Sequence, residues 1–144
     1  MGNSPQIKLF LVDDDILFLK SLEIDFSNNL AFDIYTFQSG EACLAAMGAK
    51  PDIVILDYML DGLNPKAMNG IATLDKIKSI DMDIPVIMLS GQDKIDVAVN
   101  CMHHKAYDYV VKSETSYLRL ERNIEDILKA KKMKSQLEWY MERL

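Results

Sequence analysis

The stretch "LFLVDDDILFLK", Leu9 to Lys20, runs four apolar residues straight into three aspartates and then resumes an apolar pattern at Ile16, Leu17, Phe18 and Leu19. A short continuous apolar run reads as a buried strand, and apolar residues at three- and four-residue spacing read as an amphipathic helix. Asp13, Asp14 and Asp15 therefore sit at a strand-to-helix junction. No lysine or arginine lies within four residues of them, so something more distant must offset their mutual repulsion. A helix needs one aspartate at most as its cap, and Asp15 is assigned to the first helical turn, where the helix dipole favours a carboxylate.

The alternation begun there continues to the end of the chain. Ile7–Val12 reads as the first strand and Ile16–Asn28 as the first helix. Phe32–Phe37 follows as a strand, and Ser39 caps a short helix through Met47. "PDIVILDYM" holds a third strand, Ile53–Leu56, ending on Asp57, and Asn69–Ile80 is helical. "IPVIMLSG" is a fourth strand, Ile95–Met102 a fourth helix, "YDYVVK" a fifth strand, and a long last helix starts near Ser116. Five strand–helix units with near-continuous apolar strands imply a parallel sheet covered on both faces. The one long connection, Tyr58 to Met68, contains the turn formers Gly62, Asn64 and Pro65.

At 144 residues the chain suits one domain with a sizeable core. Its apolar runs are far shorter than a membrane span and no secretory leader is apparent, so a cytoplasmic location is expected, with no membrane partner. Cys43 and Cys101 are isolated in helical stretches and read as small buried residues. The adjacent His103 and His104 diverge in direction on a helix and read as surface or helix-end residues. The net charge of −6 is uneven: residues 1–111 carry 8 basic and 16 acidic side chains, residues 112–144 carry 8 and 6. An acidic main body argues against direct nucleic acid binding by this domain and is compatible with binding a cation.

In a parallel sheet, ligands bind beyond the carboxyl ends of the strands. The residues standing there are Asp13 and Asp14 after the first strand, Asp57 after the third, Ser90 after the fourth and Lys112 after the fifth. Clustered carboxylates call for a hard cation, and Mg²⁺ prefers oxygen ligands with a phosphate oxygen as partner. Lys112 offers a point charge for a phosphoryl oxygen, Ser90 a hydroxyl donor, and Asp57 a nucleophile able to form an aspartyl phosphate.

These features, "LVDDD", "VILDYML", "VIMLSG" and "YDYVVK" in order, resemble the receiver domain of two-component response regulators over about residues 7–128. The resemblance implies a flavodoxin-like (βα)5 doubly wound sheet with strand order 2-1-3-4-5 and an extended C-terminal helix. It implies a phosphorelay signalling function in which Asp57 accepts a phosphoryl group from a sensor histidine kinase or phosphotransfer protein. Such a domain catalyses its own phosphorylation and slow dephosphorylation and is not otherwise an enzyme. By position, Asp13, Asp14, Asp57 and the backbone carbonyl of Met59 would hold Mg²⁺, while Ser90 and Lys112 would contact the phosphoryl group. Ser90 and Tyr109 fall at the family's switch positions, where the aromatic ring turns inward as the hydroxyl moves.

Three departures stand out. The glycine that usually follows the acceptor by about eight residues is matched here by Gly70, thirteen on, so "LDGLNPKAM" (Leu60–Met68) holds roughly five extra residues. Asp61 and Ser113 stand where the family usually has proline. A cis Lys112–Ser113 peptide is nevertheless expected, because it would aim Lys112 at the phosphoryl group despite costing about 2.5–4 kcal/mol without proline.

Two rivals compete. Asp13 and Asp15 form the Asp-x-Asp pair of a haloacid dehalogenase-type phosphatase, but no acidic metal motif follows Lys112 on a further strand and Asp57 would be idle. A pseudo-receiver that only binds proteins would have no need of all five site residues. The domain is expected to span residues 1–128, with 129–144 a helical extension or linker. In that tail Ala130, Met133, Leu137, Tyr140 and Leu144 alternate at three- and four-residue spacing, the seam of a coiled coil, widened by Trp139 and Met141. A homodimer, or a downstream output domain, is the expected partner of that seam.

Overall fold

The computed structural model describes residues 6–29 and 31–144. Five strands, β1 (Ile7–Val12), β2 (Phe32–Phe37), β3 (Ile53–Asp57), β4 (Val86–Ser90) and β5 (Asp108–Val111), form one parallel sheet ordered β2-β1-β3-β4-β5. The helices are α1 (Ile16–Ser27), α2 (Gly40–Ala45), α3 (Gly70–Ile80), α4 (Ile95–His103) and α5 (Ser116–Glu142). This is the doubly wound flavodoxin-like architecture implied by the resemblance.

Strand alternation divides the core in two. Leu9 and Leu11, Ile53 and Ile55, Ile87 and Leu89, and Val110 face α1 and α5, where they meet Leu19, Leu22 and Phe26 and then Leu120, Ile124 and Ile127. Phe10 and Val12, Val54 and Leu56, Val86 and Met88, and Tyr109 face the other side, against Cys43, Leu74, Ile77 and Cys101. Both cysteines are free and fully buried. Burial pushes the Cys43 thiol up to about 12 and the Cys101 thiol to about 11, so both stay protonated as small apolar fillers.

The helix boundaries follow local chemistry. Asp15 is the N-cap of α1, not a residue of its first turn: its carboxylate accepts from the Leu17 and Phe18 amides. Ser39 and Asn69 cap α2 and α3 in the same way. The second helix stops at Ala45, short of the expected Met47, and a 3-10 turn over Met47–Ala49 carries the chain to Lys50 at φ 58°. At the end of α4, His104 Nδ1 lies 2.7 Å from Asp75 of α3, an inter-helix contact that the sequence does not announce.

The long connection returns to the sheet at Gly70 by steric necessity. A Cβ there would lie 2.5 Å from the Asp57 carbonyl oxygen and 2.6 Å from that of Tyr58. The Gly70 amide donates to the Tyr58 carbonyl at 3.1 Å. The extra residues are thus extruded between a fixed strand end and a fixed helix start, with the Met68 amide tied to Glu41 at 3.0 Å.

The last helix changes character midway. Ser116, Leu120, Ile124 and Ile127 are its buried residues, and from Lys129 onward every side chain is exposed. At 1.5 Å per residue its 27 residues span roughly 40 Å. A Lys131–Asp52 ion pair at 3.1 Å ties its emergence to the underside of the sheet. No described helix is long and apolar enough to cross a membrane.

Candidate functional site

The carboxyl ends of β1, β3, β4 and β5 bring Asp13, Asp14, Asp57, Ser90 and Lys112 together, as the sequence order requires. Asp13, Asp57 and Ser90 are almost wholly buried, which for the two carboxylates is exceptional. One carboxylate oxygen from each of Asp13, Asp14 and Asp57 lies within 4.8 Å of the others. Above them opens a cleft of about 610 Å³, lined also by Ile16, Leu17, Met59, Gly62, Leu63 and Gln92.

Lys112 is the cation facing the cluster. Its ammonium lies 2.9 Å from Asp13 Oδ2 and 3.3 Å from Asp57 Oδ1. Asp13 Oδ1 accepts from the Asp15 amide at 2.9 Å, whereas the buried Oδ2 accepts no hydrogen bond of good geometry and has the Lys112 charge as its compensation. One ammonium does not balance three carboxylates. Burial, then the neighbouring Asp13 charge, push the Asp57 carboxyl up to about 7, with Lys112 pulling the other way. An underfilled buried oxygen, three converging carboxylates and a carboxyl held above its usual range are what a hard divalent cation would correct, so the donor set fits Mg²⁺. Met59 follows Asp57 by two residues and lines the same cleft.

The peptide geometry at Lys112 corrects one expectation. All described peptide bonds are trans, Lys112–Ser113 included, and Lys112 still reaches Asp57. The Lys112 amide continues the ladder to the Ser90 carbonyl at 2.7 Å, and Ser113 turns the chain by accepting the Thr115 amide on its hydroxyl and the Ser116 hydroxyl on its carbonyl. A serine can close this turn with its own oxygens, so nothing repays the cost of a cis bond.

Ser90 and Tyr109 share a loop residue. The Gln92 amide donates to Ser90 Oγ at 3.0 Å, and the Ser90 hydroxyl also lies within hydrogen-bonding reach of the Tyr109 phenol. The Tyr109 hydroxyl donates to the Gln92 carbonyl, and its ring already lies inward at 9% exposure. Gln92 and Phe18 are the site neighbours that sequence reasoning missed. Phe18 lies with its ring 4.5 Å from the Lys112 ammonium. In the sequence it reads only as one of the apolar residues that open the first helix. Asp15, committed to its cap and exposed, does not join Asp13 as a phosphatase pair.

The chain is similar to known proteins in both sequence and fold. Residues 9–125 match the family described as response regulator receiver domain. The protein-glutamate methylesterase/protein-glutamine glutaminase of Clostridium acetobutylicum is 32% identical over 129 residues, covering 86% of this chain and 35% of the relative. The transcriptional regulatory protein QseB of Haemophilus influenzae is 32% identical over 107 residues, 74% of this chain and 46% of the relative. The chain thus spans less than half the length of these curated relatives. Among solved structures, the receiver domain of NtrX from Brucella abortus has 30% identity and a TM-score of 0.74, covering 84% of this chain and 98% of that one. A CheX-CheY-BeF3-Mg²⁺ complex from Borrelia burgdorferi has 26% identity and the same TM-score over 86% and 90%. The chain belongs to the response regulator receiver domain family.

Proposed function

We propose that Asp57 is the phosphoacceptor of this receiver and takes its phosphoryl group from a phosphohistidine on a sensor histidine kinase or phosphotransfer protein. The observation that carries this is the convergence of three carboxylates and one ammonium at the carboxyl end of the sheet, with Asp57 buried among them. An Asp57 carboxylate oxygen attacks phosphorus in line, the P–N bond breaks, and its electron pair leaves on the imidazole. Lys112 stands within reach of the oxygens that gather charge, and the Ser90 hydroxyl, turning from the Tyr109 phenol, would donate to one of them. Asp13, Asp14, Asp57 and the Met59 carbonyl are the groups to hold Mg²⁺. When bound, that ion would supply positive charge against both the carboxylates and the phosphoryl oxygens.

The switch is proposed to run through Gln92. Ser90 holds its amide and Tyr109 its carbonyl, so drawing Ser90 toward a phosphoryl group unsettles both bonds and alters the face formed by α4 and β5. Because Tyr109 is already inward, the response expected is a tightening of this arrangement rather than a full ring rotation. The seam on the far half of α5 is the surface proposed for a second copy or an output domain.

Acetyl phosphate with Mg²⁺ should add one phosphoryl group to the intact mass, and Asp57→Ala should add none. An adduct that persists in Asp57→Ala rules the acceptor assignment out. Adding beryllofluoride with Mg²⁺ should shift amide resonances over residues 90–111; unchanged resonances there would remove the switch.

A further inference from the structure

Lysine is a flexible four-carbon stem, and a receiver needs its ammonium held on one axis. Here the backbone of Lys112 is fixed by its bond to Ser90. Two carboxylates take the ammonium on one side, and the ring of Phe18 covers it at 4.5 Å. Phe18 is itself held: it lies in the first turn of α1, where Asp15 accepts its amide, and its half-buried side chain packs on the α1–α5 side of the core. The Asp15 cap, Phe18 and Lys112 thus form a continuous chain of contacts into the site.

We propose that Phe18 is a positioning residue for Lys112, holding the ammonium over Asp57 through the negative face of its ring. This rests on the phosphoacceptor reading above. The physical case is that an aromatic face attracts a cation without adding charge. A further carboxylate at this place would increase the repulsion among Asp13, Asp14 and Asp57 and would compete with the phosphoryl group for Lys112. An aliphatic side chain would leave the ammonium without attraction on that side. The ring retains its hold when the charge on Asp57 is redistributed by phosphorylation, so the lysine stays directed while its anionic partners change.

The experiment replaces Phe18 by mono-, di- and trifluorophenylalanine, which nearly preserve shape while draining the ring face of negative charge. Acetyl phosphate uptake and beryllofluoride binding, both with Mg²⁺, should weaken stepwise with fluorine number, by about three- to tenfold at the trifluoro ring. A flat series overturns the proposal, because packing alone would be insensitive to ring charge. A second measurement needs neither metal nor phosphoryl group. The Lys112 methylene protons should be displaced upfield by the ring, and Phe18→Leu should abolish that displacement. Lys112 shifts that are the same in both proteins also overturn it. If the wild-type chain takes up no phosphoryl group while the upfield shift is present, the acceptor reading has failed and the Phe18–Lys112 contact still stands.

Discussion

Two regions of this molecule break the ordinary partition of polar and apolar groups, and they break it in opposite directions. At the carboxyl end of the sheet, Asp13 and Asp57 are buried with one ammonium between them. On the far half of α5, Met133, Leu137, Tyr140 and Met141 are each more than 60% exposed on an uninterrupted helix. A buried charge and an exposed apolar stripe are the informative exceptions on any protein surface. The first gathers three carboxylates around one ammonium, so the component that suits it is small and charged. The second is missing a surface of its own kind. The two differ also in how they bear on folding: the site is woven into the sheet, whereas the tail touches the body at Lys131–Asp52.

The buried charges are most vulnerable at Lys112. Lys112→Ala leaves two buried carboxylates without their shared counter-charge, and the metal-free protein should lose about 3 kcal/mol in chemical denaturation. Phosphoryl uptake should be lost with it. Adding Asp13→Asn to that variant should restore much of the stability and none of the uptake; a stability unchanged by either substitution would mean the charges are not electrostatically coupled. Next comes Gly70→Ala, expected to cost about 2–3 kcal/mol, because the new methyl group meets backbone rather than a yielding side chain. Its melting point checks this, and a variant as stable as the parent would show that the extended loop, and not the close approach, sets the path of the chain. A smaller effect is expected from Mg²⁺: a saturating concentration should stabilise the wild-type chain by about 1–2 kcal/mol and leave Asp13→Asn nearly unmoved, as seen in paired thermal melts.

Most of this was legible in the residue order, and the misses share a cause. Strand bounds such as Ile7–Val12 and Phe32–Phe37 follow from continuous apolar runs, and in a parallel sheet a strand end fixes where its last residue points. Asp13, Asp57, Ser90 and Lys112 could therefore be brought together from position alone. Contacts decided by three-dimensional closeness could not. Phe18 looks like any other apolar residue of α1 until the ring is found against Lys112, and Gln92 has no signature beyond following Ser90 and Gly91. The Lys112–Ser113 peptide departs from expectation for another reason: a cis bond suits proline, while a serine hydroxyl and carbonyl close the turn in trans. The tail's pattern was legible but one side chain was misplaced within it. At about 100° per residue Trp139 stands far around the helix from the Leu137 seam. It sits instead beneath Arg143, whose guanidinium lies 3.7 Å from its ring.

Removing the tail should cost the fold least. A chain ending at Leu128 keeps Leu120, Ile124 and Ile127, the side chains through which α5 joins the core. It loses the exposed stripe and the Lys131–Asp52 pair, whose lysine is well exposed. An exposed pair of this kind is worth less than about 1 kcal/mol. At low micromolar concentration the short and full chains should therefore melt within a few degrees of each other. At high micromolar concentration they should diverge, because the seam of little more than two heptads can associate weakly while the short chain cannot. Sedimentation equilibrium should show the full chain gaining mass with concentration and the short chain remaining a monomer. Two monomers, with and without beryllofluoride, would discard self-pairing and leave the output-domain reading of the stripe. A large loss of stability on truncation at low concentration would go further: it would show that the far half of α5 belongs to the folded body, and the contrast between an integral site and a detachable surface would fall.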